Sequence, residues 1–327
     1  MPTSLTIRSE SWPIAGRFAI SRGAKTRADV IVVELRHGPY CGRGECVPYP
    51  RYGESIESVT AALESMRDPL RAGLDRTVLL GTMPAGAARN ALDCALWDLE
   101  AKQSGRPVHE LAGLQPPRPL TTAYTISLDT PDAMARAAAA AAWRPLLKVK
   151  VGADGTHERL CAVRQAAPRA ELIIDANEAW EPANLAENLG LCARAGVRFV
   201  EQPLPAGADE ALAAISRPVP VCADESLHDR ASLARLQRAY DAINVKLDKA
   251  GGLTEALALM AEADRLGFAV MVGCMVATSL AIAPAVLLGQ RARVVDLDGP
   301  LLLAADRPDG LRFEGSEMYP AARALWG

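Results

Sequence analysis

Three stretches of this chain end in the same way: Ile173-Ile174-Asp175-Ala176-Asn177, Phe199-Val200-Glu201-Gln202-Pro203 and Cys222-Ala223-Asp224-Glu225-Ser226. In each, a short apolar run closes on an acid and then on turn-forming residues, the pattern of a buried strand. Working outward, comparable runs span Thr121–Ser127, Leu146–Val151, Leu172–Asp175, Phe199–Glu201, Val219–Ala223, Ala242–Lys246, Ala269–Met275 and Val294–Leu297. Ala- and Leu-rich helical stretches lie between most of them: Ala133–Ala142, Glu158–Ala166, Ala183–Ala195, Ala231–Tyr240 and Leu253–Leu266. Strand–helix alternation predicts parallel β/α units. Eight such strands predict an α/β fold closed as a (β/α)8, TIM-like barrel rather than an open sheet.

Upstream the pattern differs. Thr3–Pro13 and Val30–Arg36 alternate like strands, Gly38–Pro50 is rich in Gly and Pro and reads as turns, and Ala85–Lys102 reads as a long Ala-rich helix. Gln115–Pro119 holds three prolines and reads as a linker. A length of 327 residues suits one barrel plus an accessory domain. The Gly42-x-Gly44 pair lacks both a third glycine and a following helix, so a dinucleotide site is not supported.

Composition excludes several classes. The net charge is −3 and no basic patch points to nucleic acid. No apolar run reaches the ~18 residues that cross a bilayer, and Met1–Glu10 lacks the basic and apolar parts of a signal peptide. The seven scattered cysteines form no CxxC pair, which argues against a zinc knuckle or a disulfide framework. A reducing, cytoplasmic compartment fits that usage. The four histidines fall in no HExxH or similar motif.

In such barrels chemistry sits at the C-terminal ends of the strands. Asp175, Glu201 and Asp224 close consecutive predicted strands, which lie about 5 Å apart in a barrel. Three converging carboxylates repel unless a cation sits among them, and oxygen donors without nearby His or Cys select Mg²⁺ or Mn²⁺ over zinc. Taken singly, each acid is equally a helix N-cap. Lysine is rare here: six residues against thirty arginines. Lys148, Lys150, Lys246 and Lys249 stand at the ends of the strands that flank the acids, and the other two are Lys25 and Lys102. Arginine keeps its proton in a protein, whereas a desolvated lysine can lose it and act as a base. Neighbouring cations lower a lysine pKa and neighbouring carboxylates raise it. Lys249 reads as a helix-start or surface residue. Asp296 and Asp298 at the end of the last strand share one face and suit a cationic group on a substrate. The alternatives for that pair are a solvated turn or a Ca²⁺ loop, which lacks its other ligands.

The set Lys148-Val149-Lys150, Asp175, Glu201, Asp224 and Lys246 resembles the enolase superfamily in its muconate-cycloisomerase-like branch. Phe18–Gly23, Gly44–Ser55 and Ala87–Leu99, with Asp296-x-Asp298, are similar to the dipeptide epimerases of that branch, most of all those that interconvert L-Ala-D-Glu and L-Ala-L-Glu. The resemblance implies an α+β capping domain over residues 1–117, joined by the C-terminal segment from about 308 to 327, on a barrel over 118–307. It implies one Mg²⁺ per subunit on Asp175, Glu201 and Asp224, with Lys150 and Lys246 as an opposed acid/base pair. Lys148, Thr125, Cys274 and Met275 would contact the substrate, Asp296 and Asp298 its ammonium, and Arg22 an acidic side chain. Arg51 and Arg27 are alternatives for that last role, Cys274 is equally a small packing residue, and the role of Glu225 stays open. The implied activity is Mg-dependent epimerisation of the C-terminal residue of a dipeptide, a small-molecule substrate, in recycling of cell-wall peptides. The alternatives are a lyase or cycloisomerase of the same superfamily, such as one resembling o-succinylbenzoate synthase, and a non-catalytic binding module. A homo-oligomer is compatible with this reading.

Overall fold

The computed structural model describes residues 2–327. The chain opens on a long antiparallel hairpin, β1 (Ser4–Ile20) and β2 (Gly23–His37), followed by β3 (Tyr40–Cys46) on the outer edge of β2. The ladder runs from Ser4↔Arg36 to Pro13↔Arg27, shifts register, and resumes at Phe18↔Lys25. Within the shift, Ile14 bridges to Leu303, so the hairpin touches the rest of the molecule where its ladder is broken. Gly38–Pro50 is therefore not all turns. Gly42 and Gly44 serve close packing: a Cβ at Gly42 would lie 2.2 Å from the carbonyl oxygen of Ala95, and one at Gly44 2.1 Å from that of Ala91. Strand β3 thus lies directly on a helix.

Helices α1 (Ile56–Glu64), α2 (Arg67–Arg71), α3 (Arg76–Thr82), α4 (Ala87–Ser104) and α5 (Val108–Leu111) complete this domain. Helix α4 is buried on nearly every face, which explains its alanines. It packs on β3 on one side and reaches the second domain through polar groups on the other. Arg89 donates to the carbonyls of Ala250 and Gly251, Asn90 to Asp248, and Asp93 accepts from the backbone and hydroxyl of Thr254.

The second domain begins with β4 (Leu120–Thr121), which pairs with β14 (Glu317–Met318), itself paired with β13 (Phe313–Glu314). The single strand expected over Thr121–Ser127 is thus two. Thr122 still bonds to Ser316, whereas Ala123 donates to Val295, and the chain changes sheets between them. Eight parallel strands follow: β5 (Tyr124–Ile126), β6 (Leu146–Lys150), β7 (Glu171–Asp175), β8 (Val197–Glu201), β9 (Val221–Ala223), β10 (Ala242–Val245), β11 (Ala269–Gly273) and β12 (Val294–Asp296). They pair in sequence order, and the Ala123–Val295 bond closes the circle between the first and the last. Outside them run α6 (Pro131–Ala140), α7 (Thr156–Ala166), α8 (Pro182–Arg194), α9 (Glu210–Ala213), α10 (Arg230–Leu236), α11 (Leu247–Ala250), α12 (Leu253–Arg265) and α13 (Ser279–Gly289). Helix α10 stops short of the expected Tyr240, whose side chain turns inward to Asp209.

Eight residues, one from each barrel strand or its edge, plug the N-terminal end of the barrel: Ala123, Leu146, Ile173, Phe199, Cys222, Ala242, Met271 and Val294. Two residues further along each strand the side chain points into the same lumen. There the sequence places Thr125, Lys148, Asp175, Glu201, Asp224, Asn244, Gly273 and Asp296. The end of the chain returns to the first domain: Trp326 donates to the Cys94 carbonyl and the Gly327 amide to Asp98.

Candidate active site

The upper layer of the barrel is built almost entirely from charge. Strand register sets Lys150 beside Asp175 and Asp175 beside Glu201, all fully or nearly fully buried. Lys150 Nζ donates to Asp175 Oδ2 at 2.6 Å and Lys246 Nζ to Asp224 Oδ2 at 2.6 Å. Lys148 Nζ stands in the middle, 2.7 Å from Asp296 Oδ2, 2.7 Å from Glu201 Oε2 and 3.1 Å from Asp175 Oδ2. Lys148 is thus the cation that bridges strands β6, β7, β8 and β12. Lys249 is buried rather than a surface residue. The single turn of α11 folds it back, so that Nζ meets Asp224 Oδ1 at 2.6 Å and the Asn244 carbonyl at 3.1 Å.

These contacts set the protonation states. Burial alone lowers a lysine pKa, but Asp224 and Glu201 more than offset it for Lys246, which is held well above the usual lysine value. Lys148 behaves likewise through Asp296, Glu201 and Asp175. Carboxylates, not neighbouring ammoniums, therefore set the direction. Asp175 and Asp224 are buried, yet their lysines hold them below the ordinary carboxylate value. Glu201 is pushed up to about 7 by burial and by Asp175.

Backbone strain fixes the ends of these strands. Asn177, Glu178 and Gln202 adopt φ of 45°, 68° and 34°, a region that costs a non-glycine residue about 1 kcal/mol or more. Gln202 explains part of it. Its side-chain oxygen accepts from the amides of Asp224 and Ser226, and its amide nitrogen donates to Leu204, Ser226 and Tyr240. It therefore ties the end of β8 to the end of β9. Asn244 donates to Glu201 Oε1 at 2.8 Å, in space left by Gly273, whose Cβ would meet the Asn244 amide at 2.6 Å. Neither residue was singled out from sequence, although Asn244 stands two positions before Lys246 and period two aims it into the lumen.

Three carboxylates at adjacent strand ends form a donor set of hard oxygens only, which fits Mg²⁺. Glu201 Oε2 is buried and has no hydrogen-bond partner, although it lies within ion-pair distance of Lys148. Among the described residues no three His, Cys, Asp or Glu side chains gather closely enough to make a ready-formed metal cluster. Lysine nitrogens stand between the acids.

Above this layer lies a cavity of about 500 Å³ between the barrel mouth and the β1–β2 hairpin. Lys148, Lys150, Lys246, Thr125, Cys274, Met275, Asp296 and Asp298 line it from the barrel. Asp298 Oδ2 accepts from the Thr125 amide at 2.7 Å, and burial together with Asp296 pushes its carboxyl up to about 7. From the hairpin come Phe18, whose ring centroid is 5.8 Å from Lys150 Nζ, and Arg22. Arg22 donates to the Asn177 carbonyl at 2.7 Å and to Glu225 at 2.6 Å, which gives Glu225 a partner. Arg51 grips Glu178 through two nitrogens.

The chain matches two family descriptions in succession: "Mandelate racemase / muconate lactonizing enzyme, N-terminal domain" over residues 2–113 and "Enolase C-terminal domain-like" over residues 132–317. It is 47% identical to the L-Ala-D/L-Glu epimerase of Escherichia coli K12, over 97% of this chain and 99% of that protein. It is 46% identical to an N-acetyl-D-glutamate racemase from a Pseudoalteromonas species, over 91% of this chain and 95% of that one. A crystal structure of an Agrobacterium tumefaciens enolase family member with homology to dipeptide epimerases superposes with a TM-score of 0.98 at 57% identity, covering 100% of both chains. That protein was solved with sodium and L-Ala-L-Glu bound.

Proposed function

Because the chain belongs to the mandelate racemase / muconate lactonizing enzyme family of the enolase superfamily, we propose that it epimerises the C-terminal residue of dipeptides, with L-Ala-L-Glu and L-Ala-D-Glu as the interconverted pair. The observation that carries this reading is the buried Asp296–Asp298 pair on the wall of a cavity whose floor holds Lys150 and Lys246. Two buried acids suit the free ammonium of a dipeptide. Two lysines suit removal of a proton from one face of a carbon and its return on the other. Such a peptide would arise from cell-wall turnover, in the cytoplasm.

The proton to be moved lies alpha to a carboxylate and is very weakly acidic. Asp175, Glu201 and Asp224 would hold Mg²⁺, which when bound supplies positive charge against the enediolate that forms. Lys150 and Lys246 exchange the proton at the α-carbon, one accepting it while the other donates. Lys148 holds positive charge beside the substrate carboxylate. Asp296 and Asp298 orient the ammonium. Thr125, Cys274, Met275 and Arg22 shape the walls around the two side chains. No helix in the described chain is long and apolar enough to cross a membrane.

A second reading, racemisation of an N-acylglutamate, is favoured by the 46%-identical racemase. It needs the same two lysines but no ammonium partner. Deuterium wash-in at the α-carbon from D₂O, with Mg²⁺ and with chelator, separates the two. Faster exchange, per kcat/KM, on L-Ala-L-Glu than on N-acetylglutamate supports the first, and the reverse order supports the second. Exchange on no dipeptide at all would overturn the proposal.

A further inference from the structure

A stretch of the cavity wall stands outside both sheets. Strand β11 ends at Gly273 and α13 begins at Ser279. Between them Cys274, Met275 and Val276 line the cavity. Among the described residues, the amides and carbonyls of 274–277 bond to no other part of the chain. The segment is therefore placed by its neighbours and by its two ends. It lies against Gly299, where a Cβ would stand 2.8 Å from the Met275 carbonyl oxygen. Val276 packs on the small cluster of Ile14, Ala28 and Leu303. The upstream end is fixed by the ladder of β11, the downstream end at Thr278.

Thr278 is held from the capping domain. Glu45 on β3 is buried, and its carboxylate accepts from the Thr278 amide at 2.9 Å and from the Thr278 hydroxyl. Arg307 closes the ring. Its Nε donates to Thr278 Oγ1 at 2.7 Å, and its Nη2 to Glu45 at 2.7 Å and to Glu10 on β1 at 2.7 Å. The Arg307 side chain is only 11% exposed, and its guanidinium lies 5.2 Å from the centroid of the Trp12 ring. One arginine thus joins two strands of the capping sheet to the far end of the 274–277 segment. Apolar contacts hold two domains together as well as a buried ion pair does. What the fork of Arg307 and the carboxylate of Glu45 add is a fixed direction and distance.

We propose that Glu45 and Arg307 are positioning residues for the substrate: through Thr278 they set where the Met275–Val276 wall stands. Neither lines the cavity, so they act through that wall and not by contact. This rests on the dipeptide reading above. Lys150 and Lys246 take their partners from the barrel strands, apart from this ring of bonds. Loosening the ring therefore leaves the proton-moving groups in place. It weakens the hold on substrate and transition state alike, and the signature of that loss is a raised KM with kcat little changed.

The test measures KM and kcat on L-Ala-L-Glu, and the melting temperature, for the wild type, Glu45→Gln, Thr278→Val, Thr278→Ser and Ser279→Ala. Thr278→Ser keeps the hydroxyl that Glu45 and Arg307 share. Ser279 is the next residue but bonds to Asp306 instead, so Ser279→Ala loosens the same helix end outside the ring. The expected result is a KM raised about tenfold in Glu45→Gln and about threefold in Thr278→Val, with kcat within about threefold of wild type. Thr278→Ser and Ser279→Ala should keep KM within about twofold, although Ser279→Ala melts lower through its lost buried hydrogen bond. Three results overturn the assignment and leave the dipeptide reading intact: an unchanged KM in Glu45→Gln and Thr278→Val, an equal rise of KM in Ser279→Ala, or a kcat that falls by more than KM rises. If Glu45→Gln does not fold, Thr278→Val against Thr278→Ser decides. A wild type that exchanges no dipeptide overturns both.

Discussion

The barrel lumen holds two layers, two residues apart on the same strands, and they have opposite chemistry. The lower one, from Ala123 to Val294, is a dry apolar plug. The upper one, with Lys148, Asp175, Glu201, Asp224, Asn244 and Asp296, is equally buried yet almost wholly charged or polar. Burying an apolar side chain stabilises the fold, whereas burying an ion is costly unless it is paired. The upper layer meets that cost with lysines, each within 2.7 Å of a carboxylate. One layer holds the barrel together. The other stores charge at the floor of a cavity.

Mutations that separate the two layers break or sharpen this comparison. The largest effect is expected at Asp224, which touches both Lys246 and Lys249. Asp224→Ala should lower kcat by ~10³-fold or more, as removal of a preorganised charge at a reacting centre does. It should also weaken Mg²⁺ binding measured by calorimetry. Wild-type rates in this variant would mean that the upper layer is structural.

Phe199→Ala, in the plug, should cost ~3–5 kcal/mol of stability in denaturant titration. The folded fraction should keep its kcat within a few-fold. A collapse of kcat at full folding would tie the plug to chemistry. Lys148→Met should leave Asp175, Glu201 and Asp296 facing one another. Melting without metal should then fall by several degrees, and added Mg²⁺ should raise it more than in the wild type. Equal metal-induced shifts in the two proteins would argue that Lys148 does not share the charge of these acids.

The smallest effect concerns the seam between the domains. Asp248 accepts from the Val47 amide and from Asn90, and burial pushes it up to about 7. Its pKa is raised in the folded state, so this contribution to stability is full below about pH 4 and is lost as pH rises through 7. Melting temperature should decline between pH 5 and 8, and Asp248→Asn should flatten that decline. An unchanged slope would assign the decline to other groups.

Much of this was legible in the sequence because a buried strand that ends in an ion is a rare pattern. Asp175, Glu201, Lys150 and Lys246 each close an apolar run, and the eight parallel strands follow from those runs. Strand β3 was hidden because glycine is both a turn former and the residue that lets a strand lie against a helix, as at Gly44. The split at Thr122 was hidden because a change of hydrogen-bond partner leaves no compositional trace. Gln202 and Asn244 are neutral, so charge did not single them out. The partners of Lys148, Lys249 and Arg22 lie up to 203 residues away in the chain, beyond the reach of local pattern.

The central claim is that Lys150 and Lys246 work on opposite faces of one carbon. The direct measurement is α-proton exchange in D₂O by Lys150→Ala and Lys246→Ala, each offered L-Ala-L-Glu and L-Ala-D-Glu separately. Both variants should lose epimerisation, and each should still exchange one epimer only, the opposite one in the two cases. Epimerisation surviving in either variant, or both variants exchanging the same epimer, would contradict the account.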